Sequence, residues 1–161
     1  RFIPTGGINA DNLQSYIKFD KILACGGTWM VKKDLIEAQN WNEIKRLTEE
    51  AVKSMLGLEF AHVGINAENE AQAVQAAKFL KTAFDYTDGK SSAFSMSDNI
   101  EICKTPKPGR FGHIAIATNT IGRAIAYFKA RGFEFIDENA KGAVYFKDEF
   151  MGFGVHLVQK K

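Results

Sequence analysis

An eight-residue pattern occurs twice, and it restricts the possible folds of this chain more than any other feature. Phe60-Ala61-His62-Val63-Gly64-Ile65-Asn66-Ala67 aligns with Phe111-Gly112-His113-Ile114-Ala115-Ile116-Ala117-Thr118. Each copy alternates as a strand with one buried face does. Each also runs into a helical pattern: Ala73, Ala77, Leu80 and Phe84 after the first, Ile121, Ala124, Ile125 and Phe128 after the second. Short strands are then expected at about Thr87 to Lys90, Ser92 to Met96 and Asn99 to Lys104, and again at Glu134 to Asp137, Ala143 to Phe146 and Gly154 to Gln159. Thr105-Pro106-Lys107-Pro108-Gly109 is rich in turn formers and separates the copies. The expected unit is βαβββ, present twice over residues 58–161.

Two such units can curl one sheet into a cup, with helices outside and the inner face open to a ligand. Side-chain parity then assigns faces, because neighbours along a strand point to opposite sides. Val63 and Ile65 take the helix side and leave His62 inside; Ile114 and Ile116 do the same for His113. Ile100 and Ile102 leave Glu101 inside, and Val155 and Leu157 leave His156 inside. All three histidines of the chain thus share the inner face with one carboxylate. Imidazoles with a carboxylate suit a divalent Zn, Ni, Mn or Fe(II) ion with positions open to a bidentate oxygen ligand. The alternatives are a polar lining for an organic ligand, or a different fold. Tyr86, Tyr127, Tyr145, Phe94 and Phe146 read as packing or rim residues. Arg110 and Arg123 are candidates for attracting an anionic substrate, with solvated surface as the alternative reading.

With its repeat and its parity, the segment from about Leu58 to Lys161 resembles the vicinal oxygen chelate superfamily, which includes the glyoxalases and extradiol dioxygenases. By position, the resemblance implies His62, Glu101, His113 and His156 as metal ligands. His156 departs from the family pattern, where the last strand usually supplies Glu. That exchange changes the charge of the site by one unit and counts against glyoxalase-like proton transfer, in which this carboxylate often acts as base.

Residues 1–57 follow another logic. Phe2 and Ile3 lead to Pro4-Thr5-Gly6-Gly7-Ile8, and Asn9 or Asp11 can cap a helix through Leu13, Tyr16 and Ile17. Ile22-Leu23-Ala24-Cys25 is a second short apolar strand, Gly26-Gly27-Thr28 a second turn, and Asp34-Leu35-Ile36 opens a helix. A last amphipathic helix is expected from about Trp41 to Met55, with Ile44, Leu47, Ala51 and Met55 on one face. Such βαβα alternation implies parallel strands. The Gly-Gly turns let backbone N–H groups approach an anion without interference from Cβ, and Thr28 adds a hydroxyl, which suits phosphate; simple tight turns are the alternative.

The order Phe2-Ile3-Pro4-Thr5-Gly6-Gly7-Ile8 then Gly26-Gly27-Thr28-Trp29 resembles the C-terminal quarter of the 2-keto-3-deoxy-6-phosphogluconate and 4-hydroxy-2-oxoglutarate aldolases, over Arg1 to about Val52. The resemblance implies a fragment of a class I (β/α)8 barrel in which Thr5, Gly6 and Gly7 close over substrate and Gly26, Gly27 and Thr28 hold its phosphate. Thr28 stands where that family commonly has Ser. The family's Schiff-base lysine and its proton-moving glutamate lie on earlier strands, and Lys18, Lys21, Lys32 and Lys33 fall outside its lysine motif. No residue of this chain is therefore expected to be catalytic for the aldol reaction. Strand edges left without neighbours recruit partners, so a homodimer is expected.

The fold class expected for the whole is α+β: paired βαβββ modules of vicinal-oxygen-chelate type (58–161) after a βαβα barrel fragment (1–57). The 21 Lys and Arg against 19 Asp and Glu are interspersed, which gives no electrostatic footprint for nucleic acid or a membrane surface. Cys25 and Cys103 are far apart with no CxxC spacing, so neither a disulfide framework nor a thiolate metal site is expected, and a reducing cytoplasm fits. No organic cofactor is indicated. The start at Arg1-Phe2-Ile3-Pro4, without Met, reads as entry into a strand already under way, as in a piece of a longer protein.

Three functions follow. One is the C-terminal part of a sugar-acid aldolase with a regulatory or accessory glyoxalase-like domain, its ligand an oxoacid or phosphorylated sugar acid. The second is a self-sufficient metalloenzyme of glyoxalase or dioxygenase type. The third is a non-catalytic oxoacid-binding module.

Overall fold

The computed structural model describes residues 1–87, 94–96 and 99–160, and divides the chain into two units, Arg1–Gly57 and Leu58–Lys161.

The first unit has three helices, α1 (Leu13–Ile17), α2 (Lys33–Glu37) and α3 (Trp41–Leu56), of which α1 and α3 supply residues to a small apolar centre. Helix α3 begins at Asn40, whose side chain accepts the Glu43 N–H at 3.2 Å, and ends at Gly57 in the left-handed region, where the Gly57 N–H donates to the Lys53 carbonyl. Arg46 pairs with Glu43 and Glu50 on its exposed face, where solvent screening leaves such pairs little weight. Ile8, Leu13 and Ile17 form the buried centre, against which Cys25, Trp29, Ala51 and Met55 pack. Asn9 acts as the turn-former ahead of α1: its side-chain oxygen accepts the N–H groups of Asp11 and Asn12.

The two strands expected in this unit are reduced to isolated parallel bridges, Phe2↔Ile22 and Thr5↔Gly26. The bonds that remain run from the Phe2 N–H to the Lys21 carbonyl, from Leu23 to Phe2, and from Gly26 to Pro4. Pro4 has no N–H to give, and a parallel pair is weak without neighbouring strands. Phe2 and Ile3 are 64% and 57% exposed, and Phe19 and Leu23 are exposed as well.

Among the described residues, the second unit is one mixed sheet with two helices. Its elements are β1 (Glu59–Asn66), α4 (Glu70–Phe84), β2 (Phe94–Met96), β3 (Ile100–Cys103), β4 (Gly112–Thr118), α5 (Ile121–Lys129), β5 (Val144–Tyr145) and β6 (Phe153–Gln159). The sheet order is β2-β3-β1-β4-β6-β5. β1 pairs parallel with β3, and β4 pairs parallel with β6; each outer strand is antiparallel to its neighbour. The antiparallel β1·β4 pair joins the halves, so the duplicated octapeptides lie side by side at the centre. Ile102 packs with Ala67, Ala73 and Ala77, and Ile100, Leu80 and Tyr86 lie against that cluster, which fixes the helix side of the sheet.

Some sequence expectations are altered. Glu134 to Asp137 is not a strand: Phe135 makes one antiparallel bridge to Phe146, supported by bonds from the Ile136 N–H to Tyr145 and from the Lys147 N–H to Glu134. Of the Thr87 to Lys90 segment only Thr87 is described, outside any strand, and residues 88–93 lie outside the described residues, as does Lys161. A bulge at Ala61, which sequence reading did not anticipate, shifts the β1·β4 register between Phe60↔Ile116 and His62↔Ala115.

Candidate metal centre

Register explains why four distant residues meet. Gly64 stands opposite Glu101 on one side and opposite His113 on the other. Ala115 likewise stands between His62 and His156. Two rows result, Glu101–Gly64–His113 and His62–Ala115–His156, each with a small residue at its middle. A Cβ on Gly64 would lie 2.0 Å from Cε1 of His113 and 2.3 Å from its Nε2, so the missing side chain is the space that the imidazole fills.

The donor atoms converge. His62 Nε2 and His113 Nε2 are 3.2 Å apart, and Glu101 Oε2 lies 3.4 Å from the first and 3.3 Å from the second. One ligand atom from each of His62, His113 and His156 falls within 4.8 Å of the others. His113 and His156 are 2% and 3% exposed, whereas His62 and Glu101 are partly open. Hydrogen bonding from His113, then from His62, holds the Glu101 carboxyl well below the usual carboxylate range. Burial, with the neighbouring histidines second, lowers His156 to about 4.

Among the described residues, three buried ring nitrogens have no hydrogen-bond partner: His113 Nδ1 and both nitrogens of His156. A buried, unsatisfied polar atom costs about 1–3 kcal/mol, so such groups persist where something else uses them. Three imidazoles with one ionised carboxylate form a donor set that fits a divalent ion of the Zn, Ni or Fe(II) kind, with fewer hard oxygen donors than Mg or Ca require.

Two inner-face residues were passed over in the sequence. Cys103 follows Glu101 by two positions, and Glu101, Cys103 and His113 also offer ligand atoms within 4.8 Å of one another. Strand parity carried that signal. Tyr145, read as packing, pairs with His156 across β5·β6 with ring centroids 4.6 Å apart; burial pushes its phenol up to about 12. Of the two arginines considered for substrate attraction, Arg110 is exposed over the Phe111 ring, and Arg123 sits on α5. An apolar cavity of about 350 Å³ in this unit is lined by residues of the opposite parity, Ile116, Val155 and Leu157, with Phe128 and Phe146.

In the first unit, Gly6 and Gly7 have φ of 83° and 70°, which only glycine adopts freely, and the Thr5↔Gly26 bridge sets the two Gly-Gly turns side by side. Gly7, Thr28, Lys32 and Lys33 line one cleft of about 820 Å³. Gly27 allows the Trp29 ring to lie against the backbone: a Cβ there would be 1.6 Å from Cζ3.

Residues 1–47 match the family model of the KDPG and KHG aldolases. Among curated proteins, the chain is similar to the 2-dehydro-3-deoxy-phosphogluconate aldolase of Haemophilus influenzae, 46% identical over 52 residues, which is 32% of this chain and 24% of that protein. It is 38% identical over 53 residues to the enzyme of the same name from Pseudomonas aeruginosa, 33% of this chain and 24% of that one. Similarity to the KHG/KDPG aldolase of Escherichia coli K12 is 42% over 53 residues, 33% of this chain and 25% of the relative. The chain thus spans about a quarter of the length of the curated relatives it matches. Among the described residues, no helix is long and apolar enough to cross a membrane.

Proposed function

We propose that Leu58–Lys161 is a divalent-metal cup of vicinal-oxygen-chelate type that takes a small oxoacid, and that Arg1–Gly57 is the C-terminal part of a KDPG/KHG aldolase barrel to which it is appended in an accessory or regulatory role. One observation carries the reading of the cup: His62, His113 and Glu101 present donor atoms at 3.2–3.4 Å spacing beside the unpartnered nitrogens of His156. His62, Glu101, His113 and His156 are the residues that would hold the ion, which when bound would polarise a bidentate oxygen ligand. Tyr145 closes one flank of the cluster. The rings of His113 and His156, nearly fully buried, keep water from the floor of the cup.

The proposal is tested by elemental analysis of the purified chain beside its His62→Ala and His113→Ala variants. About one equivalent of a transition metal in the parent, lost in both variants, is expected. Failure to bind Zn, Ni, Mn or Fe(II) after reconstitution would refute the metal site and leave an organic-ligand cup. A purely oxoacid-binding role is favoured over proton-transfer catalysis by one feature, the neutral imidazole of His156 on β6 in place of a carboxylate.

In the first unit, the cleft beside Gly7 and Thr28 suits the phosphate of a sugar acid, with Lys32 and Lys33 adding positive charge. A Schiff-base lysine needs a desolvated, pKa-lowered amine, and Lys18, Lys21, Lys32 and Lys33 are all exposed. The purified 161-residue chain is therefore expected to release no pyruvate from 2-keto-3-deoxy-6-phosphogluconate in a coupled assay. Turnover above the no-enzyme rate, removed by a Lys→Ala change at one of these positions, would show that a lysine of this unit serves after all.

A further inference from the structure

Building on the metal reading above, we propose that Cys103 is a thiolate ligand of the same ion, which makes the site selective for Zn(II), Co(II) or Ni(II) over Mn(II) and Mg(II). The first observation is placement. Ile100 and Ile102 face α4, so Glu101 and Cys103 share the inner face of β3, one pleat apart. Cys103 is 1% exposed, and its Sγ falls within 4.8 Å of a carboxylate oxygen of Glu101 and a ring nitrogen of His113.

The second observation is independent of the cysteine. His113, 2% exposed, points its ring into this group, and its Nδ1 has no hydrogen-bond partner. A buried thiol beside an ionised carboxylate and an imidazole whose Nδ1 has no partner is a soft donor placed among borderline ones. With His62, Glu101, His113 and His156, Cys103 makes five protein donors, and neighbouring donors on a five-coordinate ion stand about 3.1–3.7 Å apart at ordinary metal–N and metal–S bond lengths. Gathering Cys103 from within 4.8 Å therefore needs a side-chain shift of at most about 1.7 Å. On binding, the Sγ–H proton leaves to solvent as the Sγ–metal bond forms, with no change of oxidation state. Thiolate donors favour the softer first-row ions, and hard Mn(II) and Mg(II) gain little from them.

Cobalt(II) titration of the metal-stripped full chain, followed by absorption, tests this. Visible ligand-field bands report any ordered site, and a near-ultraviolet sulfur-to-cobalt charge-transfer band reports a thiolate ligand. Both are expected in the parent chain and in Cys25→Ser. Cys103→Ser is expected to keep the visible bands, lose the near-ultraviolet band, and reduce the preference for Zn(II) over Mn(II) by at least the 10–100-fold typical of a lost supporting partner. Circular dichroism of Cys103→Ser and Cys103→Ala checks that the sheet is retained. Visible bands that vanish in His62→Ala, without a near-ultraviolet band in the parent or with one that survives Cys103→Ser, would overturn the thiolate and leave the metal site standing. No visible bands and no bound cobalt would overturn both.

Discussion

Zn(II) added to the metal-stripped chain is expected to raise the unfolding temperature of the sheet unit by roughly 10–20 °C at a free concentration of about 100 Kd. The figure follows from linkage: an ion that binds only the folded state adds about 2.7 kcal/mol at that concentration, and a domain of about 100 residues gains about 4–8 °C per kcal/mol. The physical source is specific to this site. His113 and His156 hold three buried nitrogens without partners, and the folded metal-free state carries that cost. His113→Ala is expected to abolish the shift, because His113 Nε2 stands with Glu101 and His62 at 3.3 and 3.2 Å, and its loss removes the member common to both donor groups. Differential scanning calorimetry with and without chelator gives the answer. A parent chain whose melting is indifferent to Zn(II), or an equal shift in His113→Ala, would contradict the assignment.

The second large effect is expected from a single methyl group. Gly64→Ala places a Cβ about where the His113 ring now lies, and all three nearest heavy atoms to that Cβ belong to this ring. The ring is buried and has little room to retreat. Overpacking of this kind costs about 1–3 kcal/mol, so a fall in unfolding temperature on the order of 5–15 °C is expected, with loss of metal binding as His113 Nε2 is driven off Glu101. The informative comparison is the double variant. With His113→Ala in place the obstruction is gone, so Gly64→Ala should then be nearly neutral, giving a coupling energy close to the whole single-variant cost. Additive losses in the cycle would mean that Gly64 serves the strand backbone and not the histidine.

How much of this was legible in the sequence depends on the range of the signal. Alternation along single strands was enough to set His62, Glu101, His113 and His156 on one face, because parity is a local property. It is equally enough for Cys103, two residues past Glu101, although its distance from Cys25 and the lack of CxxC spacing argue against a thiolate site in the sequence. The rows that make the donors meet were not legible. They depend on which residue of β1 faces which residue of β3 and β4, and hence on the bulge at Ala61 and on long-range register. Gly64 and Ala115 look like ordinary small residues until that register is known. In the first unit, the order of turns and helices was readable from Gly and apolar spacing, and the aldolase match over residues 1–47 agrees with the resemblance read there. The strands were not reached, since two apolar segments with Pro4 between them and no outer neighbours hold only two bridges.

The Asn66 side chain gives the segment between the two halves an unusual status. Its amide donates to the carbonyls of Lys107 and Gly109 at 2.8 and 2.9 Å and accepts the Lys107 N–H at 2.9 Å, tying the end of β1 to the stretch that feeds β4. Surface connections normally absorb extra residues at little cost, because closure entropy grows slowly with length. Here an added residue has to be taken up between an anchored point and a strand whose phase decides whether His113 faces Glu101 and His62 or the helices, since a slip of one position reverses every side chain. The connection therefore works as a spacer of fixed length, and its tolerance to insertion should resemble that of a core strand more than that of a loop.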